Sequence, residues 1–398
     1  MMAVADTAGN APVLSSSRTG NTARWSGVFS MTLCVFALIA SEFMPVSLLT
    51  PVAADLSVSE GLAGQAISVS GAFAVLTSLS ITRLAGNMDR KLLLLWMTGL
   101  MLVSALMIAL APSYAVYMAG RVFIGVSVGG FWSMSAATAI RLVPAQQVPR
   151  ALAIFNGGNA LAAMIAAPLG SYLGSVVGWR GAFFCLVPLA LVALVWQWIS
   201  LPAMKPPSEA EPVGMLRLLR NPGVALGMAA MALFFAGQFT LFTYVRPFLE
   251  TITQVSVATL SWILLVVGVA GFIGTMFIGA FLKAHLYRTL ALIPLAMAAL
   301  AVGLVAFGSD TAPVAVLLAL WGLLATAAPV GWWTWLSRTV PDATEAGGGL
   351  MVAVVQLAIA LGSTAGGLVF DAAGYASTFS LSAVLLVAAS LLAWRASK

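Results

Sequence analysis

Residues 39–51, IASEFMPVSLLTP, carry a single carboxylate, Glu42, inside the first long apolar segment of the chain. A charged side chain in the hydrocarbon core of a bilayer costs about 2.5–3.5 kcal/mol on insertion scales. Such a side chain is retained where it faces a protein interior or a water-filled cavity, and it usually marks a functional site. Glu42 is therefore the first candidate for a functional group.

The composition is that of a membrane protein. The 398 residues are 61% hydrophobic and 8% charged, whereas soluble domains carry about 25% charged residues. The net charge of +6 is spread over the predicted loops, so it indicates membrane topology rather than a nucleic-acid polymer as a partner. Cys34 and Cys185 lie within apolar runs, and we interpret them as buried hydrophobic residues rather than a disulfide or a metal site.

Twelve apolar segments are long enough to cross a bilayer, and segments of this length and even apolarity predict helices rather than barrel strands. The fold class expected is an all-α integral membrane protein with twelve transmembrane helices. The predicted segments are 26–51, 62–82, 92–111, 114–140, 150–174, 180–201, 223–246, 257–281, 289–308, 312–337, 346–368 and 373–394.

The basic residues predict the orientation. Of the 18 Lys and Arg residues, all except Arg121, Arg180 and Arg246 fall on one side of the predicted membrane. The positive-inside rule makes that side cytoplasmic, and both termini lie there. Arg180 and Arg246 are expected on the outer side, at the ends of their segments, so Glu42 and Arg121 are the charges expected well inside the helices.

The longest polar interruption, which is rich in proline, divides the segments six and six and predicts a cytoplasmic linker. The expected organisation is a cytoplasmic tail at 1–24, a six-helix bundle at 25–201, a linker at 202–222, a second six-helix bundle at 223–394 and a cytoplasmic C-terminus at 395–398.

The two halves carry related sequences. Glu42-Phe43, with Pro51 nine residues after the glutamate, is matched by Gln238-Phe239, with Pro247 nine residues after the glutamine. The two pairs are 196 positions apart, and each lies on the first helix of its half. Together with the six-plus-six count, this match favours a duplicated transporter with two pseudo-symmetric bundles.

Four stretches resemble the major facilitator superfamily, in particular its drug/proton antiporter group. Residues 86–91, GNMDRK, are similar to the family's loop after helix 2, although Ala85 replaces the first glycine and the second half is reduced to Lys91. Residues 121–125, RVFIG, resemble the helix-4 arginine motif, and 166–170, AAPLG, resemble a weakened antiporter signature. Residues 41–51 resemble helix 1 of the sugar-efflux branch. The resemblance implies the major facilitator fold and a gating loop at Asp89 and Arg90.

Longer runs within that branch are similar to bacterial purine ribonucleoside efflux pumps. The runs are Glu42 to Asp55, 129–136, 141–144, 235–247 and 329–332. This resemblance implies a monomer in the bacterial inner membrane, without a cofactor, that exports inosine- or guanosine-like purine ribonucleosides by proton antiport. The residues themselves leave a sugar or drug exporter open, as well as a facilitator or a non-transporting sensor.

Glu42 and Arg121 are predicted to lie at similar depths, near the outer ends of their helices. Burial favours the neutral form of a carboxyl group, whereas a nearby guanidinium favours its charged form. A carboxylate under both influences can take up and release a proton, so these two residues are the proton-coupling candidates. A static ion pair, or an Arg121 that supports the packing of the first helix, remains open.

The substrate candidates are polar or aromatic residues on helices expected to line a central cavity. Amides can donate and accept hydrogen bonds to a purine edge or ribose hydroxyls, and aromatic rings can stack on a base. Each could instead join helices or face lipid, which is the interpretation favoured for Trp333 and Trp335. The candidates are Trp132, Asn156, Asn159, Gln238, Tyr244, Trp332 and Gln356.

An enzyme is not expected. A membrane-embedded enzyme would need paired acids or histidine ligands within the membrane, and the single histidine, His285, is predicted in a cytoplasmic loop. The sequence also lacks a Walker-type phosphate loop, so direct ATP hydrolysis is not expected to drive transport. A small molecule, protons and the lipid bilayer are the partners that remain.

Overall fold

The computed structural model describes residues 23–86, 88–144, 147–204, 215–340 and 344–396. Residues 1–22 of the predicted N-terminal tail and residues 205–214 of the predicted linker lie outside the described residues. The α-helices are α1 Trp25–Ser47, α2 Leu49–Asp55, α3 Glu60–Ala85, α4 Arg90–Ala109, α5 Tyr114–Arg141, α6 Val148–Phe184, α7 Leu186–Ser200, α8 Pro222–Phe242, α9 Val245–Thr251, α10 Val257–Ala306, α11 Thr311–Thr339 and α12 Thr344–Arg395. A short 3₁₀ helix, Met215–Arg220, precedes α8.

Ten helical stretches within the described residues are long and apolar enough to cross a membrane. Two of them, Arg150–Ser200 and Gly347–Arg395, are 51 and 49 residues long, about twice the length that one crossing needs. The protein is therefore a multi-pass, all-helical membrane protein. The count of twelve crossings stays a prediction.

The long helices α6, α10 and α12 are each interrupted by one residue with non-helical backbone, namely Gly178, His285 and Gly374. Gly178 and His285 fall in gaps between predicted segments, and Gly374 lies two residues beyond the end of the gap at 369–372. His285 is exposed and interrupts α10, and its place in a cytoplasmic loop stays a prediction.

Backbone conformation repeats between the two halves of the chain, which we define as residues 23–204 and 215–396. Gly178 has φ 76° and Gly374, 196 positions later, has φ 74°, a region that side chains other than glycine rarely adopt. Leu48 (φ −116°, ψ 10°) separates α1 from α2, and Tyr244 (φ −107°, ψ 15°), also 196 positions later, precedes α9. The sequence repeat is thus accompanied by a repeat in backbone geometry.

The surface carries large apolar side chains, as expected for a protein whose solvent is lipid. Trp198, Trp262, Phe277 and Ile199 are between 66% and 78% exposed. In contrast, the first helix is mostly buried, with 16 of its 23 residues in the interior. This helix therefore carries Glu42 into the centre of the protein.

Contacts between the two halves concentrate towards one end, which holds the loops at 56–59 and 252–256. We call it the outer end, after the orientation predicted from the charges. Asp371 accepts hydrogen bonds from Ser59 Oγ (2.5 Å) and from the Gly61 amide (2.9 Å). Nearby, Thr364 donates to Gln65 Oε1 at 3.1 Å. The outer end is therefore closed by direct contact between α3 and α12.

Candidate transport site

Glu42 lies on α1 and is 7% exposed. Its Oε1 accepts a hydrogen bond of 3.1 Å from Nε2 of Gln356 on α12, so the carboxylate is joined to the other half of the chain. No Lys, Arg or His nitrogen within the described residues lies within 4.0 Å of the carboxylate oxygens. The carboxylate of Glu42 is therefore bonded to an amide rather than paired with a cation.

Arg121, on α5, does not form the ion pair with Glu42 that the matched depths suggest. It is fully buried and donates to Ser41 O at 2.8 Å, Ala66 O at 3.0 Å and Ser70 Oγ at 2.9 Å, with a longer bond of 3.4 Å to the backbone oxygen of Glu42. Its observed contacts fit the alternative in which Arg121 supports the packing of the first helix.

Proline explains why a helix needs this arginine. Pro45 lies inside α1 and has no N–H, so the carbonyl four residues earlier, that of Ser41, has no helical donor. A buried carbonyl without a partner costs about 1–3 kcal/mol. Arg121 supplies the missing donor, and its other donors reach the adjacent helix α3. The guanidinium thereby fixes the backbone that carries Glu42.

The two repeated dipeptides meet at the centre. The rings of Phe43 and Phe239 stack with centroids 5.9 Å apart and an angle of 29°. Gln238, on α8, is half-buried, and its Oε1 has no hydrogen-bond partner among the described residues. The same is true of Gln356 Oε1. Glu42 thus has the amide of Gln356 as its partner and a stacked ring pair at the next residue, although the aromatic pair was not among the sequence candidates.

Other substrate candidates lie in different surroundings. Trp132 is half-buried and packs edge-on against Phe155, with centroids 5.9 Å apart. Asn159 is half-buried on α6, and the side chain of Asn156 lies outside the described part of the structure. The structure therefore places these residues on α5 and α6 without joining them to Glu42.

The tryptophans of α11 divide between core and surface. Trp332 is 1% exposed and contacts Trp335 edge-on at 5.9 Å, which favours a packing role for Trp332. Trp333 is 46% exposed, as expected for a ring that faces lipid. The same expectation for Trp335 is wrong, because Trp335 is 2% exposed and packs against Gly227.

Tyr244 lies towards the outer end rather than beside Glu42. Its hydroxyl donates to Ser363 O at 2.8 Å, and its ring stacks on Phe370 at 5.1 Å. The ring also fills a space left by Gly64 of α3. Tyr244 therefore contributes to the contact between the two halves.

Asp89 and Arg90 lie at the opposite end of the helices. Asp89 caps α4 by accepting from the Lys91 amide at 2.7 Å, and its second oxygen accepts from the Met204 amide at 2.8 Å. The Arg90 amide donates to Met204 O at 2.9 Å. The loop with the predicted gating role is thus hydrogen-bonded to Met204 of the predicted linker.

Arg246 is a third buried charge. It is expected on the outer side, and it lies on α9, beside the loop at 252–256, where it is 5% exposed. Its side chain pairs with Glu250 at 2.8 Å and donates to Ser47 O of the other half. Glu42 and Arg121 are therefore not the only buried charges, and the i,i+4 spacing of Arg246 and Glu250 is a signal that could have indicated this pair.

The family model described as Major Facilitator Superfamily matches residues 31–363. The chain belongs to this superfamily. It is 60% identical over 372 residues to a Pseudomonas aeruginosa protein named "Transcription regulatory protein OpdE", with 92% of each chain covered. It is 41% identical over 368 residues to the purine ribonucleoside efflux pump NepI of Salmonella enteritidis, with 92% of this chain and 93% of NepI covered.

The fold agrees with this membership. A bacterial homologue of the human lysosomal transporter Spinster has a solved structure that superposes with a TM-score of 0.77 at 15% identity, covering 94% of this chain and 97% of that one. The protein is thus a major facilitator transporter and not an enzyme, as the sequence indicates.

Proposed function

We propose that this protein exports purine ribonucleosides across the bacterial inner membrane in exchange for protons. The observation that carries the proposal is Glu42, a buried carboxylate with no cation within 4.0 Å among the described residues, hydrogen-bonded across the halves to Gln356. Because the carboxylate forms no ion pair among the described residues, uptake of a proton does not have to break one.

Gln356 suits both protonation states of Glu42. The charged carboxylate accepts from the amide nitrogen, as observed at 3.1 Å. A protonated carboxyl group gains a donor, and Gln356 Oε1 is an acceptor without a partner among the described residues. Rotation of one amide therefore keeps the two halves joined whether or not Glu42 carries a proton.

The substrate assignment draws on similarity to NepI at 41% identity. Gln238 adds chemical support, because its half-buried amide can hydrogen-bond to a purine edge or a ribose hydroxyl. The remaining candidates are proposed only because they lie on helices that are expected to line the central cavity. They are Trp132, Asn156, Asn159, Tyr244 and Trp332. Export of sugars or hydrophobic drugs with the same proton coupling is the alternative.

We also propose two six-helix bundles with both termini in the cytoplasm, and an inward-facing conformation. Closure at the outer end by α3 and α12 is the observation behind that conformation. The wild-type protein would then open alternately to each side around Glu42, as a single polypeptide chain.

Glu42→Gln in inverted membrane vesicles tests the proton site. Uptake of labelled inosine driven by an imposed acid-inside gradient should be abolished, while the amount of inserted protein is unchanged. Asp310→Asn is the matched control, because Asp310 is exposed in a loop and its neutralisation should leave uptake intact. Normal gradient-driven uptake by Glu42→Gln would refute the assignment.

Thermal unfolding of the purified protein with inosine, guanosine, sugars and cationic drugs tests the substrate. A rise in melting temperature with the nucleosides alone supports the proposal, and a rise with sugars or drugs alone supports the alternative.

The relative named as a transcription regulatory protein favours a second candidate, a membrane-embedded sensor. Ligand-induced stabilisation without gradient-driven uptake by the wild-type protein would favour the sensor.

A further inference from the structure

The carbonyl of Ser47 lies at the end of α1, in the first half of the chain. Its helical donor would be the amide four residues later, but residue 51 is a proline and has no N–H. Ser47 is fully buried, so water does not reach this carbonyl when the outer end is closed. A buried acceptor of this kind needs a donor from elsewhere in the protein.

Arg246, on α9 of the other half, supplies that donor. Its Nη1 donates to Ser47 O, while Nε and Nη2 lie 2.8 Å from Oε1 of Glu250 on the same helix. The pair with Glu250 neutralises the buried guanidinium and aims it at α1. Because Glu250 and Arg246 belong to one helix, separation of the halves breaks the bond to Ser47 alone.

We propose that Arg246 is a positioning residue that holds the outer end closed by satisfying the Ser47 carbonyl freed by Pro51. This inference rests on the proposed exchange of access between the two sides of the membrane. In the closed state the carbonyl depends on Arg246, whereas in an outward-open state water can replace the arginine. The bond therefore stabilises the closed state selectively.

A distance between spin labels at the outer end tests the proposal in the full-length protein in lipid nanodiscs, without substrate or gradient. Ala54→Cys and Ala373→Cys lie on opposite halves, and both positions are exposed. Cys185 is replaced by alanine, while the buried Cys34 stays. The label-to-label distance distribution gives the fraction of molecules with an open outer end.

Arg246→Gln should raise the ratio of open to closed molecules about tenfold, because a hydrogen bond from a charged donor is lost. Arg246→Lys should restore part of the closed population, since lysine keeps the charge but not the planar fork. The matched control is Arg180→Gln, which also removes an arginine bonded to a carbonyl and a carboxylate at the outer end, those of Ala111 and Asp55 within one half. Arg180→Gln should leave the distribution unchanged.

An unchanged distribution in Arg246→Gln would overturn the proposal, as would equal opening in Arg180→Gln. If Arg246→Gln does not fold, Glu250→Gln takes its place: removal of the charge that positions Arg246 should open the outer end by a smaller factor, and no opening would count against the proposal. Failure of nucleoside export would refute the proposed function without altering these distances. Conversely, wild-type distances in the variants would refute the role of Arg246 alone.

Discussion

Arg121 and Arg246 are both buried, and each donates to a carbonyl that lies four residues before a proline. The prolines are Pro45 of α1 and Pro51 of α2. Arg121 reaches Ser41 O from α5, in the same half of the chain. Arg246 reaches Ser47 O from α9, in the other half. The chemistry is the same, but separation of the halves would leave the first bond intact and break the second.

The comparison separates two uses of a proline in a buried helix. Each proline lacks an N–H and so leaves one carbonyl without a helical donor, and that carbonyl accepts from a side chain outside the helix. A donor from the same half makes a contact that persists when the halves separate, which we call a fixed joint. Such a joint is expected next to Glu42, because the position of its carboxylate must be constant. A donor from the other half makes a joint that can open.

The largest effect on stability is expected from the fixed joint. Arg121→Gln removes the donor of the Ser41 carbonyl and further bonds from the same charged group to Ala66 O, Glu42 O and Ser70 Oγ, and hydrogen bonds to charged groups contribute about 1.5–3 kcal/mol each. We expect the free energy of unfolding, measured by denaturant titration in detergent micelles, to fall by about 3 kcal/mol or more. A loss below about 0.5 kcal/mol would mean that these bonds add nothing net to stability.

Pro45 offers a sharper version of the same test. Pro45→Ala supplies an N–H that can bond to the Ser41 carbonyl, so part of the need for Arg121 disappears. Arg121→Gln should therefore cost about 1 kcal/mol less in the Pro45→Ala background than in the wild type, as measured by a double-mutant cycle. Additive losses would show that the proline and the arginine act independently.

The helical architecture follows from hydropathy, since long apolar runs have few alternatives in lipid. Interruptions at Gly178 and His285 lie in the predicted gaps, and the sequence repeat is matched by the positive φ of Gly178 and Gly374, 196 positions apart. In these cases the signal is local or periodic, so the sequence alone was sufficient.

The partners of the buried charges could not be predicted in the same way. Gln356 is 314 positions from Glu42, and no periodicity indicates which residue of a distant helix will face a given acid. Arg121 was assigned to Glu42 by charge and depth, whereas the structure gives it to backbone carbonyls. Pro45, four residues after Ser41, is the signal for that role, because it leaves the Ser41 carbonyl without a helical donor.

A glycine at the joint between halves offers the next test. Gly64 of α3 lies against the ring and hydroxyl of Tyr244, and an added Cβ would collide with them. Gly64→Ala should therefore raise the open fraction in the spin-label measurement severalfold. Gly99 is the matched control because no heavy atom lies within 4 Å of an added Cβ there, and Gly99→Ala should leave the fraction unchanged.

The smallest effect is expected at the exposed edge of the same joint. Asp371 accepts from Ser59 Oγ and the Gly61 amide at the start of α3, where a negative charge also interacts favourably with the helix dipole. Asp371→Asn should raise the ratio of open to closed molecules about two- to fivefold, corresponding to about 0.3–1 kcal/mol.

Because Asp371 is exposed, added salt should weaken the wild-type bond and reduce the difference between wild type and variant. The effect of Arg246→Gln, whose partners are buried, should persist in high salt. Equal salt sensitivity of the two variants would contradict the distinction between a buried joint and an exposed one.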